Sequence, residues 1–341
     1  MHVVIIGFDR REHARGEKRL FSYDTVKGEP EETTHKVLSP YLFDASLLGD
    51  PHTVVARISA SLNTLPDLRF GTQPIDGGNL IVDADEYHYL CEKYAQFVNF
   101  AHPFVGSREY LQGGERYILS IQDANPSILR SMPEVLKKIQ QVKDFRLESK
   151  RKVTRDLADF PTSFAFTTIP ESDFLVIPEV SSERRDYVPI GWLAPPTIPS
   201  NLVRVALDVT RPDFALLTSS MHMAWLRNIG GRLKSDYRYS IGLVYNTFPL
   251  PVGKDLSKLE KFGQAILDAR ANHPDATLAD LYDPDVMPAD LRRAHMANDA
   301  AVDALYKRGG FKSERERVEH LFMLYEQQTA GMLAKPKKRR R

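Results

Sequence analysis

Charged side chains alternate with mainly apolar or aromatic ones in one short stretch, and the chemistry of this protein is expected there. Between residues 233 and 241, Lys234, Asp236 and Arg238 are separated by Ser235 and Tyr237. A repeat of two is typical of a strand with one packed face and one polar face. In the DNA major groove, lysine and arginine donate to guanine, and aspartate accepts from the cytosine amino group. The pattern therefore predicts a strand that can read bases; the alternative is the solvated outer face of a sheet.

A helix and a glycine stop precede this strand and would fix its position. Ser219 and Ser220 can cap a helix whose apolar residues recur at helical spacing up to Ile229. Gly230 and Gly231 then end the helix. The stretch therefore predicts a helix, a sharp stop and a strand in about thirty residues.

A second stretch, SSERRDYVPI at residues 181–190, is denser in hydrogen-bond donors than a connecting loop needs. Ser182, Arg184 and Arg185 are therefore candidates for contacts with phosphates or bases. The alternative is an internal ion pair between Glu183 and a neighbouring arginine that fixes a sheet edge.

Basic residues cluster between Arg130 and Arg155, a segment that contains nine lysines and arginines and only three acidic residues. The whole chain of 341 residues carries a formal net charge of only +1, so a surface for nucleic acid must be local. Lys150, Arg151 and Lys152 are the expected phosphate contacts, and a solvated basic helix face is the alternative. The terminal KPKKRRR, residues 335–341, would add unspecific attraction to phosphates.

The composition excludes disulfide-linked and thiolate metal-cluster proteins, and it predicts the cellular compartment. Cys91 is the single cysteine, which excludes an internal disulfide and a cluster of thiolate metal ligands. The sequence has no run of about 18 apolar residues and no basic region ahead of its first apolar run. We therefore expect a cytoplasmic protein with no membrane contact.

The N-terminal segment His2–Phe8 contains an unbroken apolar run, Val3, Val4, Ile5 and Ile6. Such runs are typical of strands buried within a parallel sheet. With no preceding unit to cover both edges, this strand could pair with another chain. The alternative is the first strand of a small independent sheet.

The rest of the chain divides into a β-rich region and a helical region. Residues 53–251 are rich in aromatics, prolines and short β-branched runs, with helical intervals at 85–99 and 126–155. From Leu256 the pattern is helical to Leu333, with a capping box at Ser313. Within it, His295, Asp299 and Asp303 share one helix face; we interpret that face as solvated and assign it no metal.

Several strings, in consistent order along nearly the whole chain, resemble the MmeI-like DNA methyltransferases, in which one chain carries methylase and target recognition. The strings are FGTQPIDGGNLI from Phe70, SSERRDYVPI from Ser181, MHMAWLRNIGGRLKSDYRYS from Met221, VYNTFPLP from Val244 and LADLYDPDVMP from Leu278. The resemblance implies an α+β fold with a mixed, β-rich target-recognition domain at 56–253 and a small α-helical domain at 254–333. Residues 1–55 would be a remnant of the end of a methylase α/β domain, and 334–341 a basic tail.

The resemblance also implies binding of a short site in double-stranded DNA. The base-choosing role then falls on Lys234, Asp236 and Arg238, with Arg232, Asn201 and Arg204 as further candidates. Lys150, Arg151, Lys152, Ser182, Arg184 and Arg185 would complete the DNA-binding set.

Two motifs of the methylase part are absent from this sequence. No glycine-rich turn of the kind that holds S-adenosylmethionine follows a strand, and no Asn-Pro-Pro-aromatic string is present to hold a flipped adenine. We therefore expect sequence recognition for an adenine-N6 methyltransferase without a methyl-transfer site or cofactor in this chain. The alternatives are a specificity subunit acting with a separate methylase chain, which would pair at Val3–Ile6, and a truncated, non-functional remnant.

Overall fold

The computed structural model describes residues 5–8, 16–23 and 28–333, with side chains described up to residue 330. The fold is α+β, with several small sheets and a helical C-terminal part, which confirms the predicted class. Among the described residues, no helix is both long and apolar enough to cross a lipid bilayer.

Thirteen strands are found in the described residues, and they form four small sheets. The first sheet is a hairpin of β1 and β2; the others have the strand orders β10-β5-β6-β4, β3-β11-β7-β9 and β12-β13-β8. The strands are β1 Lys18–Ser22, β2 Glu31–His35, β3 Leu68–Phe70, β4 Ile81–Asp83, β5 Ala101–Val105, β6 Arg116–Leu119, β7 Phe174–Pro178, β8 Val180–Ser181, β9 Gly191–Leu193, β10 Ile198–Pro199, β11 Val203–Ala206, β12 Gly231–Leu233 and β13 Asp236–Arg238.

Eleven α-helices accompany these strands in the same part of the chain. They are α1 Ala84–Lys93, α2 Ser107–Gln112, α3 Pro126–Arg130, α4 Pro133–Leu147, α5 Lys152–Asp156, α6 Arg211–Leu217, α7 Ser220–Ile229, α8 Glu260–Ala271, α9 Leu278–Leu281, α10 Ala289–Tyr306 and α11 Glu314–Leu333. The helical interval predicted at 126–155 is three helices, because Pro133 opens a new helix after α3 and residues 148–151 separate α4 from α5.

A first hydrophobic core lies between the sheet of β5, β6 and β4 and the helices α1 and α4. Ile118 of β6 lies opposite Ile81 of β4. The buried Val82, Leu90 of α1 and Val142 of α4 belong to the same hydrophobic cluster. This core positions α4 and therefore the basic loop that follows it.

A second, larger core joins the sheet of β7 and β11 to α6, α7 and the C-terminal helices. Ser219 caps α7 by accepting a hydrogen bond from the His222 amide at 3.3 Å, and Gly230 follows its last residue, as predicted. Trp225 of α7 is fully buried and packs against Phe322 of α11 with ring centroids 5.2 Å apart. Burying a side chain of this size contributes about 1.5–3 kcal/mol, so α7 anchors the following strands firmly.

The predicted C-terminal helices are present, and they share this core with α6 and α7. Pro288 precedes α10, Gly309 follows its end, and the Ser313 hydroxyl accepts from the Glu316 amide at 3.3 Å at the start of α11. Asn298 of α10 donates to the buried carbonyl of Ala215 in α6 at 2.7 Å. The helical region is therefore packed directly on the β-rich region that precedes it.

The prediction that His295, Asp299 and Asp303 form a solvated face is wrong. His295 is fully buried and hydrogen-bonded to the Tyr282 hydroxyl at 2.8 Å, and Asp303 pairs with Arg317 at 2.7 Å. Asp299 accepts hydrogen bonds from Ser220 and from the Tyr187 hydroxyl. These polar residues face the core because α7 and α11 supply partners that the local spacing cannot reveal.

Residues 41–50 pack against the C-terminal helix α11. The amides of Gly49 and Asp50 donate to the Glu326 carboxylate of α11 at 2.8 and 2.6 Å. Tyr41 and Phe43 pack on Phe322 with ring centroids 4.9 and 4.7 Å apart. Residues 41–50 are thus held against the helical part of the chain.

The N-terminal strand predicted at His2–Phe8 is not found where the structure describes it. Ile5, Ile6 and Phe8 belong to no strand and are 92%, 70% and 95% exposed. Val3 and Val4 lie outside the described residues, as does the basic segment 335–341. Apolar β-branched residues need a neighbouring strand to form a buried ladder, and the described residues place none beside them.

Candidate nucleic-acid interface

The structure brings the two donor-rich stretches of the sequence into one small sheet. β8 pairs antiparallel with β13, with Tyr237 opposite Ser181 and Arg238 opposite Val180. β12 pairs on the other side of β13. Residues 182–186, which follow β8, therefore lie beside the end of the hairpin formed by β12 and β13.

The single strand predicted at residues 233–241 is a β-hairpin. Leu233 lies opposite Asp236, so Lys234 and Ser235 form a two-residue turn between the arms. Each arm of a hairpin alternates with the same period of two as a continuous strand, but a two-residue turn shifts the phase, so that Leu233 and Asp236 share a face.

Cross-strand pairing decides which side chains share a face of this hairpin. Residues directly opposite each other point the same way, so Leu233, Asp236 and Arg238 lie on one face, with Gly231 opposite Arg238. The other face packs: Tyr237 is only 6% exposed. Arg232, also predicted to bind DNA, stacks its guanidinium on the Tyr237 ring at 4.2 Å and donates to the Ser235 carbonyl at 3.2 Å.

Lys234 occupies the turn with a backbone φ of +56°. Lysine adopts this left-handed region at a cost of about 1 kcal/mol, which glycine or asparagine avoids. Its side chain is exposed at the hairpin end. A strained lysine at an exposed tip favours a role for its ammonium group over a purely structural one.

Asp236 connects the hairpin to the loop after β8. Its carboxylate accepts from the Glu183 amide at 3.3 Å, and the Tyr237 hydroxyl donates to the Glu183 carbonyl at 3.1 Å. The second carboxylate oxygen of a half-buried aspartate stays available as an acceptor. The hairpin and the loop are therefore held as one unit.

The three candidates of the loop differ in their freedom to contact a ligand. The Ser182 hydroxyl accepts from the Arg184 amide at 3.3 Å, and the exposed guanidinium of Arg184 pairs with Asp285. Arg185 is half-buried beside Ser181, and burial lowers its pKa against the opposing effect of Asp236. Arg184 is thus the more accessible cation, although its acidic partner belongs to the C-terminal region.

Glu179 joins the hairpin to the central sheet. One of its carboxylate oxygens lies 2.8 Å from Arg204 and 3.1 Å from Arg238. Its backbone also accepts from the Tyr239 amide at 2.7 Å and donates to the Leu202 carbonyl at 3.1 Å. Glu179 therefore sets the position of the arm that carries Arg238.

Arg204 does not lie where the sequence predicted a DNA contact. It is 4% exposed, and its guanidinium stacks on Phe70 at 4.4 Å and donates to the Asn201 carbonyl at 2.9 Å. Asn201 is half-buried and supplies that main-chain oxygen. Both residues therefore have structural contacts within the central sheet, because the ion pair with Glu179 holds the Arg204 guanidinium in the protein interior.

Lys150, Arg151 and Lys152 are exposed in the loop and first turn between α4 and α5. They follow α4, which packs in the first core, and form a group separate in the fold from the hairpin. Lys152 pairs with Asp156 at 2.8 Å, an exposed contact between neighbouring turns that is worth little. These three cations are therefore available to phosphates.

The basic cluster at 130–155 presents fewer positive charges at the surface than its sequence indicates, because Arg146 is fully buried. Its guanidinium donates five hydrogen bonds to backbone carbonyls at 2.8–2.9 Å. The acceptors are the carbonyls of Pro74, Ile75, Leu157, Phe160 and Ser163. The arginine thus fixes the strained turn at Ile75, where φ is +50°, rather than facing a ligand.

The sequence did not predict the positions of two residues of this region. No local pattern marks Glu179 as an ion-pair partner, because Arg204 and Arg238 are 25 and 59 residues away. Leu233 was assigned to the packed face by alternation, yet it is 53% exposed beside Asp236. Only the register of the hairpin reveals that position.

Comparison with known proteins identifies the family of this chain. A family model described as the MmeI target recognition domain matches residues 49–252, and one described as the MmeI C-terminal domain matches residues 252–333. DNA methyltransferase A of Bacillus subtilis (strain 168) is 37% identical over 329 residues, covering 96% of this chain and 36% of that protein.

A solved structure, the Type IIL restriction-modification enzyme MmeI in complex with DNA, is similar with a TM-score of 0.85 and 37% identity. The match covers 93% of this chain and 42% of that one. The chain therefore spans less than half the length of both relatives. These matches confirm the resemblance seen in the sequence: the chain belongs to the MmeI family and contains its target recognition and C-terminal domains.

Proposed function

We propose that this chain recognises a short sequence in double-stranded DNA as the target-recognition part of an MmeI-type restriction-modification enzyme. The observation that carries the proposal is the hairpin of β12 and β13, which presents Asp236 and Arg238 on one face and Lys234 in its exposed turn, beside the loop that carries Arg184. The similar MmeI structure, which contains DNA, supports the same class of ligand.

The dimensions of the hairpin suit the major groove. Two paired strands are about 5 Å apart, and a groove about 12 Å wide admits a two-stranded ribbon. Tyr237 packs the opposite face of the hairpin onto the protein. The ribbon can therefore enter a groove with Lys234 leading and with its scaffold behind it.

Each polar side chain then has a distinct base preference. Arg238 and Lys234 would donate to guanine, and Asp236 would accept from the cytosine amino group. Arg238 can leave Glu179, because its side chain is 58% exposed and a pair of this kind contributes about 0–1 kcal/mol. Glu179 keeps Arg204 as a partner when this happens.

We place methyl transfer outside the described interface. The matched family models are those for target recognition and the C-terminal domain, and both relatives are more than twice as long as the matched chain. An adenine-N6 methylase domain with S-adenosylmethionine would then act beside this recognition surface. This chain contributes the choice of site.

A selection from a randomised duplex library tests the proposal with the full 341-residue chain. Asp236→Asn is the sharpest variant, since the amide oxygen still accepts from the Glu183 amide while asparagine prefers adenine to cytosine. Lys234→Gly removes the ammonium and relieves the positive φ. Lys254→Gly, at an exposed loop position before α8, is the control.

The wild type should enrich one short motif, and Asp236→Asn should change a single cytosine of it to adenine. Lys234→Gly should lose preference at one position by about 1–3 kcal/mol without loss of stability, and the control should enrich the wild-type motif. An unenriched library with the wild-type chain, or the same motif with all variants, contradicts the proposal.

A separate methylase chain is a second candidate partner, favoured by the exposure of Ile5, Ile6 and Phe8. Exposed apolar residues in an extended segment can add a strand to the edge of another sheet. Co-purification with a separately expressed MmeI-type methylase domain, lost with Ile5→Asp and Ile6→Asp, would support this partner. Equal recovery with the double variant would exclude pairing at this segment.

A further inference from the structure

Leu233 is an apolar side chain on the polar face of the hairpin. It is the last residue of β12, it is 53% exposed, and it lies directly opposite Asp236. Its chain neighbour Lys234 is an exposed cation in the turn. The hairpin end thus presents one aliphatic group beside the charged Lys234 and Asp236.

Packing within the chain does not explain this position. The other face of the same hairpin is covered, with Tyr237 6% exposed, whereas Leu233 stays outside the core of its own sheet. Leaving about half of a leucine in water forgoes part of the hydrophobic stabilisation that its burial would give. A ligand that covers Leu233 would recover that energy.

We infer that Leu233 reads the C5 methyl group of a thymine in the recognised DNA. This inference rests on the proposed function and adds an apolar contact to its polar ones. In the major groove, thymine alone of the four bases presents a methyl group, and aliphatic side chains contact it. Lys234 and Asp236 beside it would contact base edges, so the aliphatic group meets a base edge and not the backbone.

The register places this contact next to that of Asp236. Side chains opposite each other in an antiparallel pair have Cβ atoms about 4.5–5.5 Å apart, and neighbouring base pairs are about 3.4 Å apart. Leu233 therefore reads a base pair adjacent to the one read by Asp236. Gly231, which faces Arg238, has nothing within 4 Å of its Cβ direction, so this side of the ribbon has room for a base edge.

Replacing thymine by deoxyuridine in the DNA removes the methyl group and changes nothing in the protein. The experiment selects from two randomised duplex libraries, one with thymine and one with deoxyuridine, and then measures affinity for the selected duplex with single thymines replaced. The full chain and Leu233→Ala are compared, with Leu202→Ala as the control at another exposed leucine, 49% exposed.

We expect one thymine, adjacent to the position that responds to Asp236→Asn, whose replacement weakens wild-type binding about fourfold, the factor for one buried methyl group. Leu233→Ala should bind both duplexes equally, and Leu202→Ala should retain the fourfold difference. Thermal unfolding of Leu233→Ala identifies any loss of fold, and the deoxyuridine comparison on the wild type does not depend on that variant.

The inference is overturned if the wild type selects a motif but no thymine replacement weakens binding, or if Leu233→Ala keeps the same sensitivity. A wild-type chain that selects no motif overturns the proposed function instead, and the inference with it. The two failures are therefore distinguished by the first selection.

Discussion

Arg204 and Glu179 form a buried ion pair, with 2.8 Å between a guanidinium nitrogen and a carboxylate oxygen, beneath the hairpin that carries Arg238. Their side chains are 5% and 14% exposed. Arg238 contacts the same oxygen from the solvent side at 3.1 Å. The pair thus connects the central sheet to the candidate interface.

Glu179→Gln should destabilise the protein strongly. The substitution leaves the Arg204 charge buried with no counter-ion, which costs about 3–5 kcal/mol. Urea unfolding measures the change, and Glu171→Gln, an exposed glutamate just before β7, is the matched control. Equal midpoints for both variants would show that Glu179 does not hold Arg204.

Arg146→Lys should also destabilise the fold although it conserves the charge. Lysine has three donors, so at least two of the five backbone carbonyls lose their partner, at about 1–3 kcal/mol each. Arg151→Lys, at an exposed position of the same region, should be neutral. Denaturant unfolding distinguishes the two; a neutral Arg146→Lys would contradict the structural role.

The buried His222 should make stability fall with acid. Burial lowers its pKa to about 3, while its ordinary value is 6.5, so below pH 6.5 the unfolded chain binds a proton that the folded chain does not. Its contribution is therefore complete above pH 6.5 and is lost as pH falls towards 3, at about 1.4 kcal/mol per pH unit.

His222→Gln retains a partner for the Tyr239 hydroxyl, which lies 2.7 Å from the imidazole. Between pH 5.5 and 4.5 its free energy of unfolding should fall less steeply than that of the wild type by about 1.4 kcal/mol per unit. His52→Gln, at an exposed histidine, should retain the wild-type slope. Identical slopes for the wild type and His222→Gln would contradict the buried, uncharged state.

Neutralising Lys150, Arg151 and Lys152 together should weaken DNA binding for every sequence. Each lost phosphate contact reduces the slope of log affinity against log salt concentration by about 0.9, so three contacts reduce it by about 2.7. The motif selected from a random library should not change. The control neutralises Lys254, Lys258 and Lys261, three exposed lysines at the start of the C-terminal region. A salt slope equal to that of the control would exclude the phosphate role.

The helix boundaries and the mixed fold could be predicted from the sequence, because their causes are local. Ser219 and Gly230 limit α7, and Pro288 and Gly309 limit α10, through capping and backbone conformation that act within a few residues. The buried run at β7 likewise has its own pattern.

Only the tertiary structure decided which polar residues face solvent. Arg204, Arg146 and His295 are polar residue types that are usually exposed. Each is buried here, because partners from other segments form hydrogen bonds or ion pairs with its polar atoms. The turn at Lys234 could not be predicted either, because each arm of the hairpin alternates with the same period of two as a continuous strand. Sequence therefore determined the helix ends and the family, because their causes are local, whereas long-range pairing determined which polar side chains remain exposed on the hairpin.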